Sequence, residues 1–315
     1  MNTLMQKLLR LPAVLAFVSL SACTVLEVEP TDRAAVVYIT DFGLGDGAVS
    51  AMKGVATGVD SALLLEDLTH EIEPFNIWEA SYRLRQTVSY WPSGTVFVCV
   101  IDPGVGTARK SIVARTQAGY LFVTPDNGTL TLVDEYDPII EVREISAAHR
   151  VPGSEQSATF HGRDVYSLTG ALLASGQLHL ESVGASLEPS TLVRFDYLRP
   201  SVERGPNGSL VARGMIPVLD PNFGNVWTNI AATEHFGKLA SGTLLAVEIA
   251  RDGELVYSGS LPYVDSFGAV PSGESLAYAN SLGELAFALN QGSFAERHEI
   301  SAGLSWTTTV RLAEQ

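Results

Sequence analysis

Three short stretches of this 315-residue chain combine residue types able to hold and transform a small molecule. The first is Val98-Cys99-Val100-Ile101-Asp102-Pro103-Gly104-Val105-Gly106-Thr107-Ala108-Arg109. An apolar run, Thr95 to Ile101, stops there at a carboxylate. Pro103 cannot donate to a strand ladder, and Gly104 and Gly106 permit backbone angles that other residues avoid. An acid at the carboxyl end of a strand, followed by a glycine-rich turn, sits where open α/β sheets bind ligands. Asp-Pro-Gly is also ordinary turn chemistry, so this motif does not decide by itself. The second stretch, Thr40-Asp41-Phe42-Gly43-Leu44-Gly45-Asp46-Gly47, again puts an acid directly after an apolar run, Ala34 to Thr40. A carboxylate so placed suits a ribose diol, because it can accept from two neighbouring hydroxyls. The alternative is a turn residue or helix cap. Glycines at 43, 45 and 47 match neither the dinucleotide G-x-G-x-x-G nor a P-loop. The third stretch, Thr159-Phe160-His161-Gly162-Arg163-Asp164, sets a histidine and a carboxylate before a helical segment.

The elements around these stretches follow from their spacing. Ala34 to Thr40, Ala62 to Leu68 and Thr95 to Ile101 read as buried strands. Helical segments, Ala48 to Val59 and Phe75 to Trp91, separate them. This alternation predicts a largely parallel sheet flanked by helices. Strands at Ser111–Arg115, Tyr120–Thr124 and Ile139–Val142, the turn Pro125-Asp-Asn-Gly128 and a helix ending near Ala174 extend it. From about Tyr197 the chain turns to short strands and turns, as in Ser209–Leu219, Val226–Ile230, Thr243–Ile249 and Glu254–Tyr257. The expected organisation is an N-terminal α/β domain over 34–196 and a smaller, all-β, barrel-like C-terminal domain over 197–315. His70, His149, His179, His235 and His298 lack metal-ligand spacing and read as surface or packing histidines, so no metal site is expected. Cys99, mid-strand among valines, reads as a buried small hydrophobe.

The N-terminus reads as a processing signal over residues 1–22. Lys7 and Arg10 precede the apolar run Leu11 to Leu20, which is too short to span a bilayer. Leu20-Ser21-Ala22-Cys23 resembles a bacterial lipoprotein cleavage box, making Cys23 the lipidated first residue and 23–33 a polar tether. Export to the periplasmic side of the envelope is expected, and Thr24 after the cysteine favours the outer membrane. The net charge of −15, which loss of Lys7 and Arg10 would make more negative, argues against nucleic acid and against anionic membrane surfaces. Membrane attachment is therefore expected through the lipid alone. An acidic surface favours cationic ligands.

Six motifs occur in order: Thr40-Asp41-Phe42-Gly43; Asp102-Pro-Gly-Val-Gly-Thr107 with Arg109; Pro125-Asp-Asn-Gly128; Thr159-Phe-His-Gly-Arg-Asp164; Asp220 with Phe223-Gly-Asn-Val-Trp-Thr-Asn229; and Asn280-Ser281-Leu-Gly283 with Asn290. Together they resemble the adenosine-forming S-adenosylmethionine (SAM) hydrolases, or SAM hydroxide adenosyltransferases, sisters of the fluorinases and chlorinases. The resemblance implies a trimer, with SAM bound between the first domain of one subunit and the second domain of its neighbour. It implies Asp41 as the ribose-diol ligand, Asp46 and Asp220 as partners of the methionine moiety, and Ser281 at the methionine end. Asn225 resembles the adenine-reading side chain, flanked by Phe75 and Trp227, which are alternatively core aromatics. The catalytic set of the hydrolase branch maps onto Asp102, Arg109 and His161. No cofactor is implied, because SAM is itself the substrate.

The halogenases carry a tyrosine at the position of Asp102, a threonine at Val105 and Tyr-Ser at His161-Gly162, and none of these stands here. Two departures from the hydrolase pattern are Ala48, where relatives often carry a hydroxyl, and Ala286, in place of an acid. The expected reaction is attack of water on C5′ of the adenosyl group. Asp102 and His161 would orient the water and accept its proton, and Arg109 would stabilise developing hydroxide charge. A lipoprotein that binds a nucleoside or SAM without turnover is the alternative, and a halide-using adenosyltransferase a lesser one.

Overall fold

Strands that are apolar at every position need cover on both faces, and the first half of the chain supplies it. The computed structural model describes residues 33–204 and 210–313, so the leader expected over 1–22 and the tether expected over 23–33, its last residue apart, lie outside the described residues. The first half runs β1 (Val36–Thr40), α1 (Ala48–Val59), β2 (Leu65–Thr69), α2 (Ile77–Thr87), β3 (Val96–Val100), β4 (Ser111–Thr116), β5 (Leu121–Pro125), α3 (Thr131–Tyr136), β6 (Ile139–Glu144), α4 (Leu168–Ala174) and β7 (Ser186–Leu187). These strands form one sheet in the order β2-β1-β3-β5-β4-β6-β7. The first four are parallel, and β4, β6 and β7 extend the sheet antiparallel.

Side-chain alternation divides the core in two. Val36, Tyr38, Val96, Val98 and Val100 pack with Met52 and Ala56 of α1 and Ala171 of α4. Val37, Ile39, Phe97, Cys99 and Ile101 pack on the other face with Ala80 and Leu84 of α2 and Val133 of α3. Cys99 is fully buried, as read from its neighbours, and burial pushes its thiol well above the ordinary range. Gly170 lets α4 press on the sheet, since a Cβ there would stand 2.5 Å from Val98 Cγ2. The chain leaves β1 for β2 on one side and returns through α2 to β3 on the other. Strand order therefore reverses between β1 and β3, and a crevice opens there at their carboxyl ends.

The second half holds β8 (Ser201–Arg204), β9 (Leu210–Met215), β10 (Val226–Ala231), α5 (Ala232–Phe236), β11 (Leu244–Arg251), β12 (Glu254–Pro262), β13 (Ser275–Ala279), β14 (Glu284–Leu289), α6 (Phe294–Arg297) and β15 (Trp306–Leu312). They build two antiparallel sheets, β10-β14-β13 and β12-β11-β15-β9-β8. A bridge between Tyr263 and Ala277 joins the two at one corner. Val226, Ile230, Leu285 and Phe287 of the smaller sheet share a core with Ala212, Leu245, Val247, Ile249 and Val310 of the larger.

The two halves meet through α2. Trp78 and Tyr82 pack with Met215, Val218, Trp227 and Ala286, and Trp78 Nε1 donates to the Pro217 carbonyl at 3.0 Å. Glu284 is buried there, accepts from Tyr82 at 3.0 Å and pairs with Arg85 at 3.2 Å. Its burial pushes the carboxyl up while Arg85 pulls it down.

Candidate active site

Because β1 and β3 are parallel neighbours with Thr40 opposite Val100, the residues just past them emerge side by side. Asp41 and Asp102 consequently face one cleft of about 240 Å³, together with Phe42, Phe75, Val105 and His161. After Asp102 the chain folds into tight turns, with Val105 N–H donating to the Asp102 carbonyl and Thr107 N–H to that of Gly104, each at 3.1 Å. Gly106 has φ +77° and packs against the Ala158 carbonyl, so the turn rests on the segment that delivers His161. His161 precedes a stretch of π-helix, Gly162–Ser167, a wider winding found often at functional sites.

Arg109 organises this floor. Its Nε donates to Asp102 Oδ1 at 2.8 Å and its Nη2 to Asp102 Oδ2, a two-pronged charge-assisted pair. Nη1 donates to Ser111 Oγ at 2.8 Å, and Nη2 lies 3.2 Å from His161 Nδ1. The side chains of Asp102 and Arg109 are only 5% and 11% exposed, so the pair is screened little by solvent. Arg109 does not itself line the cleft and stands behind Asp102. A guanidinium has only donors, so His161 Nδ1 must be an acceptor and the neutral ring carries its proton on Nε2. Burial, then the charges of Arg109 and Arg150, hold the His161 pKa below its ordinary value against the pull of Asp102 and Asp164.

Asp41 accepts the Phe75 N–H at 2.9 Å, which holds Phe75 in the left-handed region at φ +71°. That backbone is uncommon for a bulky residue, and the ring is 71% exposed at the cleft rather than packed in the core. Beneath Asp41, Thr40 Oγ1 bonds His70 Nδ1 at 2.8 Å, His70 Nε2 bonds Asp67 at 2.9 Å, and Asp67 pairs with Lys53 at 2.7 Å. Gly43 N–H closes the turn on the His70 carbonyl at 2.7 Å. Of the two sequence readings of His70, surface or packing, the structure takes the second and adds a hydrogen bond at each ring nitrogen.

A second cleft, of about 810 Å³, opens in the C-terminal half beside Asp220, Phe223, Asn225, Tyr278 and Ser293. Asn225 Nδ2 donates to Asp220 Oδ2 at 3.2 Å, while its buried Oδ1 has no hydrogen-bond partner among the described residues. Gly224, at φ +63°, lies against Ser293, whose Oγ would be 1.9 Å from a Cβ. Among the described residues the two clefts share no lining residue.

Besides Arg109, three of the described residues named from sequence line neither cleft. Asp46 accepts the Ala48 N–H at 2.8 Å, closing a turn just ahead of α1. Trp227 is buried between the halves, 6.3 Å from the Tyr82 ring, so the core-aromatic alternative describes its packing. Ser281 is exposed in the turn before β14. Conversely, the sequence did not single out Ser111 or Tyr166, and it left Thr40, His70 and Asp67 without a shared role. A hydroxyl two residues beyond Arg109 was the one available pointer.

Residues 36–184 match the family model of the SAM hydroxide adenosyltransferase N-terminal domain, and 214–307 match that of the C-terminal domain. The chain belongs to the SAM hydroxide adenosyltransferase family. Both clefts of this family member lie within the matched segments or beside strands they contain. A relative named (R)-S-adenosyl-L-methionine hydrolase, from Salinispora tropica, is 33% identical, with 85% of this chain and 95% of that protein covered. A relative named fluorinase, from Actinoplanes sp. (strain N902-109), is 30% identical, with 87% and 97% covered. A solved structure of an uncharacterized conserved protein from Thermotoga maritima superposes with a TM-score of 0.78 at 33% identity, over 87% of this chain and 99% of that one. The mixed α/β sheet with C-terminal antiparallel sheets is thus a fold this chain shares with that solved structure.

Proposed function

We propose that this protein hydrolyses SAM to adenosine and methionine, water attacking C5′ of the adenosyl group. The observation that carries this reading is the hydrogen-bonded set Asp102–Arg109–His161 at the floor of a cleft whose other wall holds Asp41. Freely ionising water at neutral pH costs about 12 kcal/mol, so the site must direct a proton away as the new bond forms. Asp102 has both oxygens engaged by Arg109, yet a carboxylate has about four lone-pair sites, so it retains capacity to accept a proton from water in the cleft. His161, with Nδ1 filled, offers Nε2–H as a donor. The proton therefore goes to Asp102, and His161 orients the water by donating to its oxygen. Arg109 acts at one remove, holding both groups as a positioning residue. The C5′–S bond breaks with its electron pair left on sulfur, so neutral methionine departs and no redox partner is involved.

Positive charge disappears from sulfur in this step, so a carboxylate beside sulfur would stabilise the ground state and slow the reaction. Asp41 is accordingly assigned to the ribose diol, and Asp46 and Asp220 to the ammonium end. Asn225, with its orphan acceptor, is assigned to the adenine amino group. Because the two clefts are separate in one chain, we place the substrate between the first cleft of one subunit and the second cleft of its neighbour in a trimer.

The fluorinase relatives make halide the competing nucleophile. Water is favoured because Asp102 lines the cleft and repels an anion, and Val105 offers no hydroxyl to a dehydrated halide. Incubation with either sulfonium epimer of SAM, with and without excess chloride or fluoride, should give adenosine and no 5′-halo-adenosine by chromatography. A halogenated product above the uncatalysed background would overturn the choice of nucleophile.

We place the protein on the envelope, anchored through Cys23. Detergent partitioning is expected to send the full-length protein to the detergent phase and Cys23→Ser to the aqueous phase. Equal partitioning of both into water would remove the anchor.

A further inference from the structure

The Arg109 guanidinium has one contact that the hydrolysis reading leaves unused. Its Nη1 donates to Ser111 Oγ at 2.8 Å, and the same Oγ lies 3.1 Å from the Tyr166 hydroxyl. Tyr166 is fully buried. Its ring lies under the guanidinium, 5.6 Å from Cζ to centroid, and meets the His161 ring edge-on at 6.5 Å. A serine hydroxyl has one hydrogen and two lone pairs, so Ser111 can accept from Arg109 and still bond Tyr166.

We propose that Ser111 and Tyr166 are positioning residues that lock the plane of the Arg109 guanidinium, and through it keep His161 Nδ1 an acceptor and Nε2 the protonated nitrogen. An arginine held by a carboxylate alone can still tilt about that pair. A third contact at Nη1 and an aromatic face beneath remove this freedom, and Nη2 is then directed at His161. Without the lock, Nη2 moves off Nδ1, either ring tautomer forms, and the imidazole takes up a proton more readily. The charged and titratable groups facing His161 are Asp102 and Arg109 from the loop after β3, Arg150 from the segment before it, and Asp164 and Tyr166 from its own helical stretch. Of these, Arg109 is the cation in contact, so its displacement sets the direction of the change.

The catalytic consequence rests on the hydrolysis reading, whereas the lock itself does not, and the test separates them. The His161 ring resonance, identified by its loss in His161→Gln, is titrated by NMR in the wild type, Tyr166→Phe, Ser111→Ala and Ser111→Thr. Tyr166→Phe keeps the buried ring, so the core is preserved. The midpoint should rise toward 6.5 in Tyr166→Phe and Ser111→Ala and stay at the wild-type value in Ser111→Thr, which restores the hydroxyl. With SAM as substrate, kcat should fall by about 10- to 100-fold in the first two variants at unchanged KM, as a small misplacement of catalytic groups does. Midpoints equal to wild type in both Tyr166→Phe and Ser111→Ala, even with a lowered melting temperature, would reduce the two residues to packing and overturn the proposal. A wild type that does not turn over SAM would defeat the hydrolysis reading and leave the titration to decide the lock.

Discussion

Asp102→Ala and His161→Ala should each lower the single-turnover rate of SAM hydrolysis by about 10²–10⁴-fold, or about 3–5 kcal/mol of barrier. Arg109→Ala should fall in the same range, since it releases both groups from their hydrogen bonds. Combining the substitutions should cost much less than the product of the single effects, because the three residues act as one hydrogen-bonded unit. The variants differ in what they do to folding. Asp102→Ala strands a guanidinium only 11% exposed, and Arg109→Ala strands a carboxylate only 5% exposed, so both should also lose stability. His161→Ala leaves the ion pair intact and is the cleanest of the three. Asp41→Ala should instead weaken calorimetric binding of adenosine, through loss of the diol contact, with a smaller effect on the chemical step.

The pH dependence follows from the depressed His161 pKa. The folded ring stays neutral below the pH at which an unfolded histidine protonates, so its contribution to stability is present above about 6.5. That contribution is lost as pH falls through the lower folded value. Protonation puts a hydrogen on Nδ1, breaks the contact with Arg109 and sets two cations together. The acid limb of kcat/KM should accordingly lie below pH 6.5 and vanish in His161→Gln. Wild-type single-turnover rates in both Asp102→Ala and His161→Ala would return these residues to a strand-end turn and a helix start.

The parts legible in the sequence are those fixed by local rules. Val36 to Thr40 and Val96 to Val100 announce themselves because strands covered on both faces are apolar at every position. Asp41 and Asp102 follow directly, since an acid after a buried strand has to emerge at the sheet edge. β13 to β15 were not legible as strands. Ser275-Leu-Ala-Tyr-Ala is short and small-chained, and Trp306-Thr-Thr-Thr-Val has its apolar positions masked by threonines that pair across the larger sheet. Contacts that depend on register between distant elements were equally hidden. Tyr166 meets Ser111 across 55 residues, and Thr40 meets His70 across 30, and no local pattern encodes either. The acid missing at Ala286 illustrates the same limit. Two residues earlier on the same strand face, Glu284 carries a carboxylate, but its partners Tyr82 and Arg85 lie on α2, far away in sequence.

Mixing two inactive variants should restore activity. In a closed ring of three identical subunits every copy presents the same two unlike faces, so a site built between copies takes its first cleft from one chain and its second from the next. His161→Ala removes the catalytic floor and leaves Asp220 and Asn225 intact. Asp220→Ala combined with Asn225→Ala removes the assigned adenine and ammonium contacts and leaves the floor intact. Neither alone should turn over appreciably, the first through lost chemistry and the second through lost binding. When the two chains are co-expressed with different tags and the mixed trimers isolated, each ring carries one interface of its three with both halves unaltered, and activity should recover to about a third of wild type. A site contained within one chain behaves otherwise, because every chain in the mixture carries a lesion and no association repairs it. Recovery no greater than the mean of the two parents, in assemblies shown by light scattering to contain both chains, would therefore sink the shared site. The two clefts would then be separate features of one subunit, with Asn225 serving something other than the ligand bound at Asp102.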